Sequence, residues 1–378
     1  MQKIYLDYSA TTPLSDLAFN AMKPYFSHVF ANADSLYEWG RECAYAVDGA
    51  RREIASLIGA KPEEIFFTSG GSESDNWALK GIAFANKDKG NHIITTQIEH
   101  PAIINTCKWL ENNGFEVTYL PVDKYGLVNE NDLKHAIKPQ TILISVMFVN
   151  NEIGTIQPIK KLASIAKEKN VYFHTDAVQA IGYEDVNVSE LNVDMISLSA
   201  HKFFGPKGLG VLYVKKGTRI DNLVHGGHQE LAMRGGTTNT PLIVGTATAL
   251  KNAISEKDKV RAKVEALRNR FEKRILNEIP NTYINGNSNR IAHNCSVTFV
   301  GVESSVLLFR LDMEGVFASA GSACSSGSIE PSHVLKAIGL SDVDAKSTLR
   351  FSFSMLTTVQ EVDFAVDVIK KCVSSLRN

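Results

Sequence analysis

The sequence predicts an α/β protein, in which a large domain with a mostly parallel, seven-stranded sheet precedes a smaller α+β domain. Between residues 64 and 214, short apolar runs alternate with helical patterns, as they do in chains of βαβ units. After Pro241 long helices dominate, and 378 residues are ample for two domains. We therefore expect residues 15–254 to form the large domain, and residues 1–14 with 255–378 to form the small one.

Each element is predicted from its periodicity and composition. Runs rich in β-branched and aromatic residues predict the sheet at residues 64–68, 92–96, 116–120, 141–149, 171–174, 195–199 and 208–214. Helical spacing predicts helices at residues 17–26, 39–58, 77–86, 101–112, 159–168, 242–255, 256–278, 304–314 and 361–376. Residues 294–300 and 348–354 are predicted as strands of the small domain, and residues 69–76 as a tight loop.

Composition excludes several classes of protein. Forty basic and 41 acidic residues leave a net charge of −1, which gives no general attraction for nucleic acid or an anionic membrane. The first residues lack the apolar segment that directs secretion, so we expect a cytoplasmic protein. The five cysteines are odd in number and include no CxxC pair. Neither a disulfide framework nor a metal site is therefore predicted.

The strongest single indication of chemistry is Lys202. It follows the predicted strand at residues 195–199 and precedes a turn rich in Gly and Pro. A lysine at the end of a buried strand loses its proton readily, and the neutral amine can form a Schiff base with an aldehyde. A lone lysine at a strand end is more often an ordinary surface residue, so its neighbours decide the interpretation.

Two other strand ends carry residues that could bind a ligand. At Gly71 and Ser72 a strand passes into a helix, and the backbone N–H groups there could hold an anion, or the glycine could serve the turn alone. Asp176 would face the crevice at the carboxyl edge of a parallel sheet. It could hold a protonated pyridine nitrogen there, with Gln179 in reach, or it could simply cap a helix.

His100 also follows a predicted strand. Its imidazole could stack on an aromatic cofactor or move protons. A purely structural histidine is the alternative, and for a single histidine it is the commoner case. His100 is therefore a candidate for the functional role only if the other candidate residues lie beside it.

A non-haem iron site is a competing hypothesis. His174 and Asp176 form a His-x-Asp pair, which could bind iron together with His201 or His225. This hypothesis leaves Lys202 without a role, and we do not favour it.

Cys324 lies in a run of small residues. Nine of the ten residues from 319 to 328 are Ser, Gly or Ala, and the tenth is Cys324. Such a composition cannot pack a core and favours a flexible tether. A tethered thiol suits sulfur transfer, because it must visit a substrate and then an acceptor. The alternative is a linker that happens to contain a cysteine.

Seven short motifs span nearly the whole chain, at residues 6–13 (LDYSATTP), 67–74 (FTSGGSES), 149–154 (VNNEIG), 174–179 (HTDAVQ), 199–202 (SAHK), 321–325 (GSACS) and 349–352 (LRFS). Their order resembles that of the NifS/IscS-type cysteine desulfurases, which belong to the class V aminotransferase group of fold-type I pyridoxal-phosphate enzymes. The resemblance implies a fold-type I α/β fold and pyridoxal 5'-phosphate as cofactor. It also implies the conversion of L-cysteine to L-alanine, with the sulfur held as a persulfide.

The resemblance assigns a role to each residue around the cofactor. Lys202 would hold the cofactor covalently and later move the α-proton of the substrate. Asp176 would pair with the pyridine nitrogen, Gln179 with the ring hydroxyl, and His100 would stack on the ring and help to move protons. The residues implied to bind the phosphate are Gly71, Ser72, Ser199 and His201.

The resemblance extends to the substrate and to partners. Asn151 would contact both the cofactor and the substrate, and Arg350 would bind the substrate carboxylate. Cys324 would take the sulfur. Thr237 would reach the phosphate in a partner subunit, which implies a homodimer. A sulfur-acceptor protein is also implied, such as an iron–sulfur scaffold or a tRNA-thiolation protein.

Several positions depart from the family's pattern. Gly71 and Ser72 replace a usual Ala-Thr, which preserves the hydroxyl, and Tyr37 replaces a common His. Leu231 and Ala232 stand where Arg or another residue is usually followed by Gly. Two alternatives therefore stay open at this point: another aminotransferase or lyase that uses pyridoxal phosphate, or a weakly active paralogue that mainly binds a partner.

Overall fold

The computed structural model describes residues 3–321 and 331–377, and twelve strands are assigned within them. In chain order the strands are β1 (Ile4–Tyr5), β2 (Ile65–Thr68), β3 (His92–Thr96), β4 (Glu116–Leu120), β5 (Thr141–Ser145), β6 (Tyr172–Asp176), β7 (Met195–Ser199), β8 (Gly210–Val214), β9 (Thr282–Asn285), β10 (Asn294–Phe299), β11 (Val316–Phe317) and β12 (Thr348–Ser352).

The α-helices of the described residues complete the architecture. They are α1 (Asp16–Met22), α2 (Pro24–Ser27), α3 (Glu38–Ile58), α4 (Gly71–Ala85), α5 (Pro101–Glu111), α6 (Glu130–Ala136), α7 (Ile159–Glu168), α8 (Val188–Leu191), α9 (Thr240–Ser255), α10 (Lys257–Glu278), α11 (Ser304–Met313), α12 (His333–Ala337), α13 (Asp342–Lys346) and α14 (Val359–Arg377). None of them is long and apolar enough to cross a membrane.

Seven strands form the central sheet, in the order β2–β8–β7–β6–β5–β3–β4. Within it β8 is antiparallel to both of its neighbours, whereas the other adjacent pairs are parallel. The predicted mostly parallel, seven-stranded sheet is therefore confirmed. Because β2 and the parallel strands point the same way, their carboxyl ends meet at one edge, where α/β proteins bind ligands.

Helices cover both faces of the sheet, as alternating side chains show. Ile94 and Ile144 pack in one apolar cluster with α3, α7 and α9, whereas their neighbours Ile93 and Leu143 pack in another with α4 and α5. Successive side chains of a strand point to opposite faces, so the two clusters lie on opposite sides of the sheet. Because both faces of the sheet are packed against helices, the strand ends that bear the candidate site residues are held in fixed positions.

A second sheet and its helices form a separate apolar core. β12, β10 and β9 pair in that order, and β1 pairs in parallel with β11. Ile4 and Leu6 pack in the same cluster as residues of α10, α11 and α14. The division into residues 15–254 and residues 1–14 with 255–378 stays a prediction, which the separate cores support.

The structure differs from the predicted elements at three informative places. Helix α4 begins at Gly71, so most of the predicted loop at residues 69–76 is helical. The helix predicted at residues 17–26 is interrupted at Lys23, because Pro24 begins a new one and cannot donate to the preceding turn. Strand β5 ends at Ser145, and the apolar residues after it belong to a buried loop.

Two of the family departures lie on a strained stretch of backbone. Glu230, Leu231 and Ala232 have φ angles of 48°, 57° and 63°, in the left-handed region that costs non-glycine residues roughly 1–2 kcal/mol each. The Glu230 carboxylate accepts two hydrogen bonds of 2.8 Å from Arg51 and one of 2.8 Å from the Phe67 N–H. These contacts hold the strained turn in place although it contains no glycine.

Candidate active site

A cavity of about 180 Å³ lies at the carboxyl edge of the central sheet. Its lining residues are Ser9, Ala10, Gly71, Ser72, Asp75, His100, Met147, Asn151, Asp176, Val178, Gln179, Ser199, His201, Lys202 and Arg350. Ten of the twelve residues singled out from the sequence are among them. The exceptions are Thr237, which lines a different cavity with Ser69 and Arg234, and Cys324, which lies outside the described residues.

Lys202 ends a short 3-10 helix (Ala200–Lys202) that directly follows β7. Its ammonium donates hydrogen bonds to the Ser9 carbonyl at 2.6 Å and the Ala10 carbonyl at 2.8 Å. The N-terminal segment thus reaches the central sheet and fixes the direction of the lysine side chain. The amine is held at the cavity wall, where an aldehyde could meet it.

The amino end of α4 forms an anion-binding surface at one end of the cavity. No side chain caps this helix at Gly70, so the N–H groups of its first turn are available to a ligand. A Cβ atom at Gly71 would lie 2.9 Å from Val178 Cγ2, so the glycine allows a close approach to the loop after β6 that a larger residue would permit only if the Val178 side chain shifted. The Ser72 and Ser199 side chains line the same cavity.

His201 lies beside this surface as a neutral ring. Its Nδ1 is 3.0 Å from the Thr11 hydroxyl. Burial, together with the smaller effects of the Lys202 and Lys207 charges, lowers the pKa of His201 to about 4. At neutral pH the ring can therefore donate one hydrogen bond and accept another.

Asp176 ends β6 and is buried at the base of the cavity. Its Oδ1 accepts a 2.9 Å hydrogen bond from the Val178 N–H, so Asp176 does cap the turn as well as line the site. Burial raises the pKa of Asp176, whereas this hydrogen bond and the charge of Lys202 partly offset the rise. Gln179 donates to the Ser9 carbonyl at 2.9 Å, which orients its amide beside the carboxylate.

His100 caps the amino end of α5. Its Nδ1 accepts a 3.1 Å hydrogen bond from the Ala102 N–H, so in the neutral ring the proton is assigned to Nε2. Burial lowers the pKa of His100 to about 4, helped by Lys202 and His333. His100 therefore has a structural role as a helix cap and can also have a functional one, because the same ring lines the cavity.

Arg350, on β12 of the second sheet, closes the opposite side of the cavity. It is 2% exposed; Nη2 donates to Asp7 Oδ1 at 2.7 Å and Nη1 to the Asn151 carbonyl at 3.0 Å. Its buried Nε–H has no hydrogen-bond partner in the described part of the chain. A guanidinium has five N–H donors, so several are left for a carboxylate.

The two ends of the segment that carries Cys324 lie near the side of the cavity that Arg350 closes. A Cβ atom built on Gly321 would lie 3.1 Å from Glu152 Oε2, and the Ser332 hydroxyl donates to the same oxygen at 2.6 Å. Glu152 directly follows Asn151, which lines the cavity. Both described ends of the segment therefore lie beside Glu152, and the hydrogen bond of Ser332 anchors one of them there.

The iron hypothesis is wrong for His174. Its Nδ1 and Nε2 lie 2.9 Å from the Ser145 and Ser197 hydroxyls, respectively, so neither nitrogen is available to a metal. Within residues 3–321 and 331–377, no group of three or more His, Cys, Asp or Glu side chains could hold a metal ion.

The residues of the cavity fit pyridoxal phosphate. The helix end suits a phosphate, the buried Asp176 suits a pyridinium nitrogen, and Lys202 suits an aldehyde. Among the described residues, the buried Ser9 hydroxyl that lines the cavity also lacks a hydrogen-bond partner. Such polar atoms need a partner when they are buried, and a polar ligand would supply it.

Comparison with known proteins identifies the family. The family model described as aminotransferase class-V matches residues 4–364. The cysteine desulfurase IscS of Methanosarcina thermophila is 51% identical over 376 residues, which cover 99% of this chain and 93% of that protein. This chain belongs to the cysteine desulfurase family.

Two solved structures agree with the family's fold. A NifS-like protein superposes with a TM-score of 0.94 at 36% identity, covering 99% of this chain and 100% of that one. A structure described as SspA in complex with cysteine superposes with a TM-score of 0.83 at 41% identity, covering 93% and 98%. The predicted fold-type I α/β fold is confirmed, and this cysteine desulfurase is an enzyme of a family that depends on pyridoxal phosphate.

The structure adds site residues that the sequence analysis of this cysteine desulfurase missed. Asp75 lines the cavity, and Asp7 binds Arg350. Asp75 lies four residues after Gly71, and residues at this spacing share one face of a helix. A predicted helix beginning at Gly71 would therefore have placed Asp75 at the cavity. No sequence signal pairs Asp7 with a residue so far along the chain.

Proposed function

We propose that this cysteine desulfurase binds pyridoxal 5'-phosphate and L-cysteine in the cavity, passes the substrate sulfur to Cys324 and releases L-alanine. One observation supports this most: Lys202 after β7, Asp176 at the end of β6 and Arg350 within β12 come from three different strands' surroundings and line one cavity. A lysine for an aldehyde, an acid for a ring nitrogen and an arginine for a carboxylate are the groups that amino-acid chemistry with this cofactor needs.

The residues of the large sheet would hold the cofactor. When bound, pyridoxal phosphate withdraws electrons from the α-carbon of an amino acid. Asp176 and Gln179 would bind the ring, and His100 would cover its face. The phosphate would lie on the helix end, contacted by Gly71, Ser72, Ser199 and His201.

Arg350 and Asn151 would orient the substrate. The Asp7 carboxylate fixes the guanidinium, so its remaining N–H groups can form a bidentate pair with the substrate carboxylate. Lys202 would then remove the α-proton, and His100 would assist proton movement. Both roles need a group that is neutral when it accepts a proton, and the low pKa of His100 meets this need at pH 7.

The sulfur step balances without an external oxidant. The Cys324 thiolate attacks the substrate sulfur, an S–S bond forms, and the substrate Cβ–S bond breaks. The bonding electron pair stays with Cβ, which takes up a proton, and alanine leaves after the α-carbon is reprotonated. The sulfur remains as a persulfide on Cys324 until an acceptor protein or a reductant removes it.

The first test is the release of alanine and sulfide from L-cysteine with a thiol reductant, for wild type and Cys324→Ala. We expect wild type to form both products in equal amounts, and Cys324→Ala to form them at least about 10³-fold more slowly, since it lacks the nucleophile. Binding of pyridoxal phosphate should be unchanged in the variant. Ser325→Ala, in the same run of small residues, is the matched control and should remain active.

Two results would contradict the proposal. If Cys324→Ala releases sulfide as fast as wild type, the chain is a lyase that does not use the thiol. If wild type transfers an amino group and forms a keto acid instead of alanine, it is an aminotransferase.

We further propose that the enzyme is a homodimer, in which Thr237 of each chain contacts the phosphate bound by its partner. Nine large apolar residues between positions 14 and 45 are exposed, among them Phe30 at 63% and Leu36 at 89%. Such a density of exposed apolar side chains is typical of an interface. Thr237 lines a cavity of its own rather than the main one, which also fits a role toward a second chain.

Light scattering tests the dimer. We expect a mass of twice 41.5 kDa for wild type, and a shift toward one chain for Phe30→Asp, because a charge in an apolar interface is costly. Phe309→Asp is the matched control, since Phe309 is 65% exposed but lies on α11, outside this segment. A monomeric wild type at micromolar concentration, or equal effects of both variants, would contradict the proposal.

The sulfur acceptor and the compartment belong to the same proposal. A persulfide needs a protein acceptor, such as an iron–sulfur scaffold or a tRNA-thiolation protein. Reduced thiols are typical of the cytoplasm, and Cys43, Cys107, Cys295 and Cys372 are all free and buried. A cytoplasmic enzyme is consistent with this pattern.

A further inference from the structure

Asn294, the first residue of β10, is a buried polar side chain that none of the roles proposed above uses. It is 1% exposed, and its Nδ2 donates a 3.2 Å hydrogen bond to the Asn151 carbonyl. This bond joins the second sheet to the loop after β5, in which Asn151 forms part of the cavity wall. Asn294 is not among the described residues that line the cavity, so any effect on a ligand would pass through Asn151.

The strand pattern turns Asn294 toward that loop. Val297 packs in the apolar core of the second sheet, so Asn294 and Ser296, at alternate positions of β10, point to the other face. Arg350 of β12 pairs in register with Ser296 and shares this face. The Asn151 carbonyl accepts hydrogen bonds from both Asn294 Nδ2, at 3.2 Å, and Arg350 Nη1, at 3.0 Å.

The loop also packs closely against Asn294 at a second point. Gly154 has a φ angle of 74°, and a Cβ atom built on it would lie 3.0 Å from Asn294 Cβ. The Ile291 N–H donates to the Gly154 carbonyl at 2.9 Å. The segment that leads into β10 therefore holds the loop at two carbonyl groups, those of Asn151 and Gly154.

The rest of the loop is held by its own side chain, Asn150. The Asn150 Oδ1 accepts hydrogen bonds from the N–H groups of Glu152 and Ile153, at 2.9 and 3.0 Å. In the described part of the chain, by contrast, the Asn151 carbonyl has its hydrogen-bond partners on the second sheet alone. The second sheet, rather than the loop, therefore sets the orientation of this peptide group.

We propose that Asn294 is a positioning residue, which holds the Asn151 carbonyl and so fixes the direction of the Asn151 side chain at the cavity. The inference rests on the proposed function, because Asn151 is there assigned a contact with the substrate. Arg350 is assigned the substrate carboxylate, so its N–H groups serve both the loop and a ligand. A ligand in the cavity does not compete for the Nδ2 group of Asn294, which serves the loop alone.

The first test is the KM for L-cysteine. Asn294→Leu keeps the approximate size of the side chain but removes the donor, and we expect about a tenfold higher KM with kcat changed less than about threefold. Ser296→Ala is the matched control, because Ser296 lies on the same face of β10 and is 2% exposed, but its hydroxyl accepts from Asn285 within the second sheet. Its KM should stay within about twofold of wild type.

A second background tests whether Asn294 acts through Asn151. In the Asn151→Ala enzyme the positioned side chain is absent, so adding Asn294→Leu should change the KM by less than about twofold. If the KM rises as much in that background as in wild type, Asn294 acts on the substrate by another route and the proposal is wrong. An unchanged KM for Asn294→Leu alone would also overturn it.

Hydrogen exchange separates this inference from the proposed function. The amides of residues 150–154 are followed in the whole chain without substrate, for wild type, Asn294→Leu and Ser296→Ala. We expect about tenfold faster exchange of this loop in Asn294→Leu alone, because the loop opens more often without the bond to its carbonyl.

Two exchange results would contradict the inference. Unchanged exchange of the loop would overturn it even if the enzyme desulfurates cysteine. Equally faster exchange in β10 and α10 would overturn it as well, because Asn294 would then support the fold of the second sheet and not the loop in particular. Faster exchange confined to the loop, in an enzyme that does not act on L-cysteine, would support the positioning role and count against the proposed function alone.

Discussion

Lys202→Ala is expected to lower the rate of alanine formation by at least about 10³-fold, because we propose that the lysine is both the covalent anchor of the cofactor and the group that moves the α-proton. The substitution also removes the two hydrogen bonds to the Ser9 and Ala10 carbonyls. A loss of activity could then arise from a displaced N-terminal segment. Lys202→Arg separates the two causes, since a guanidinium retains the charge and the donors but cannot form the covalent link.

The measurement is single-turnover formation of alanine, together with the absorbance of the bound cofactor and the thermal midpoint of unfolding. We expect Lys202→Arg to unfold close to the wild-type temperature and to be as inactive as Lys202→Ala. Lys207→Ala, an exposed lysine five residues on, should behave as wild type. An active Lys202→Arg enzyme would show that the lysine serves only the N-terminal segment.

Arg350→Lys is expected to raise the KM for L-cysteine by about 10- to 100-fold, with a smaller change in kcat. A single ammonium cannot keep the contacts with Asp7 and Asn151 and also form a bidentate pair with a carboxylate. Losing charge-assisted hydrogen bonds of this kind costs about 1.5–3 kcal/mol, which corresponds to this range of affinity. The lysine variant keeps a cation beside Asp7, which avoids leaving a buried carboxylate unpaired.

Initial rates over a range of L-cysteine concentrations measure the effect, and the affinity for pyridoxal phosphate should not change. Arg268→Lys is the matched control, because Arg268, on α10, is also buried, at 4% exposure, but bonds to Glu265 of the same helix and to the Ile291 carbonyl before β10. Its KM should equal that of wild type. If both variants have an unchanged KM, Arg350 is a structural residue and the substrate carboxylate binds elsewhere.

Much of the sheet and of the cavity is predictable because both follow from local patterns. Asp176 and Lys202 stand at the ends of strands whose apolar, β-branched composition indicates burial, and parallel strands bring such ends together. The sequence could therefore place these two side chains at one edge without any long-range information. The same reasoning placed His100 there.

Other features depend on tertiary contacts that local patterns do not carry. Gly70, Gly71 and Ser72 are poor residues for a helix interior, so the sequence favours a loop where the structure has the first turn of α4. The glycine at position 71 leaves room for the close approach of Val178, a residue more than a hundred positions away. The sequence analysis overlooked Asp75, because a residue in a predicted loop cannot be assigned to the same helix face as Gly71.

The contact between Asp7 and Arg350 has a consequence for how the protein is made. The two residues are 343 positions apart, as are Ser9 and Ser352, whose N–H and hydroxyl groups bond at 2.8 Å. At a synthesis rate of about 5–20 residues per second, the N-terminal segment emerges from the ribosome roughly 20 to 70 seconds before its partners exist. A nascent chain can therefore pair its central strands early, but the wall of the pocket that Arg350 forms can close only after β12 has been translated.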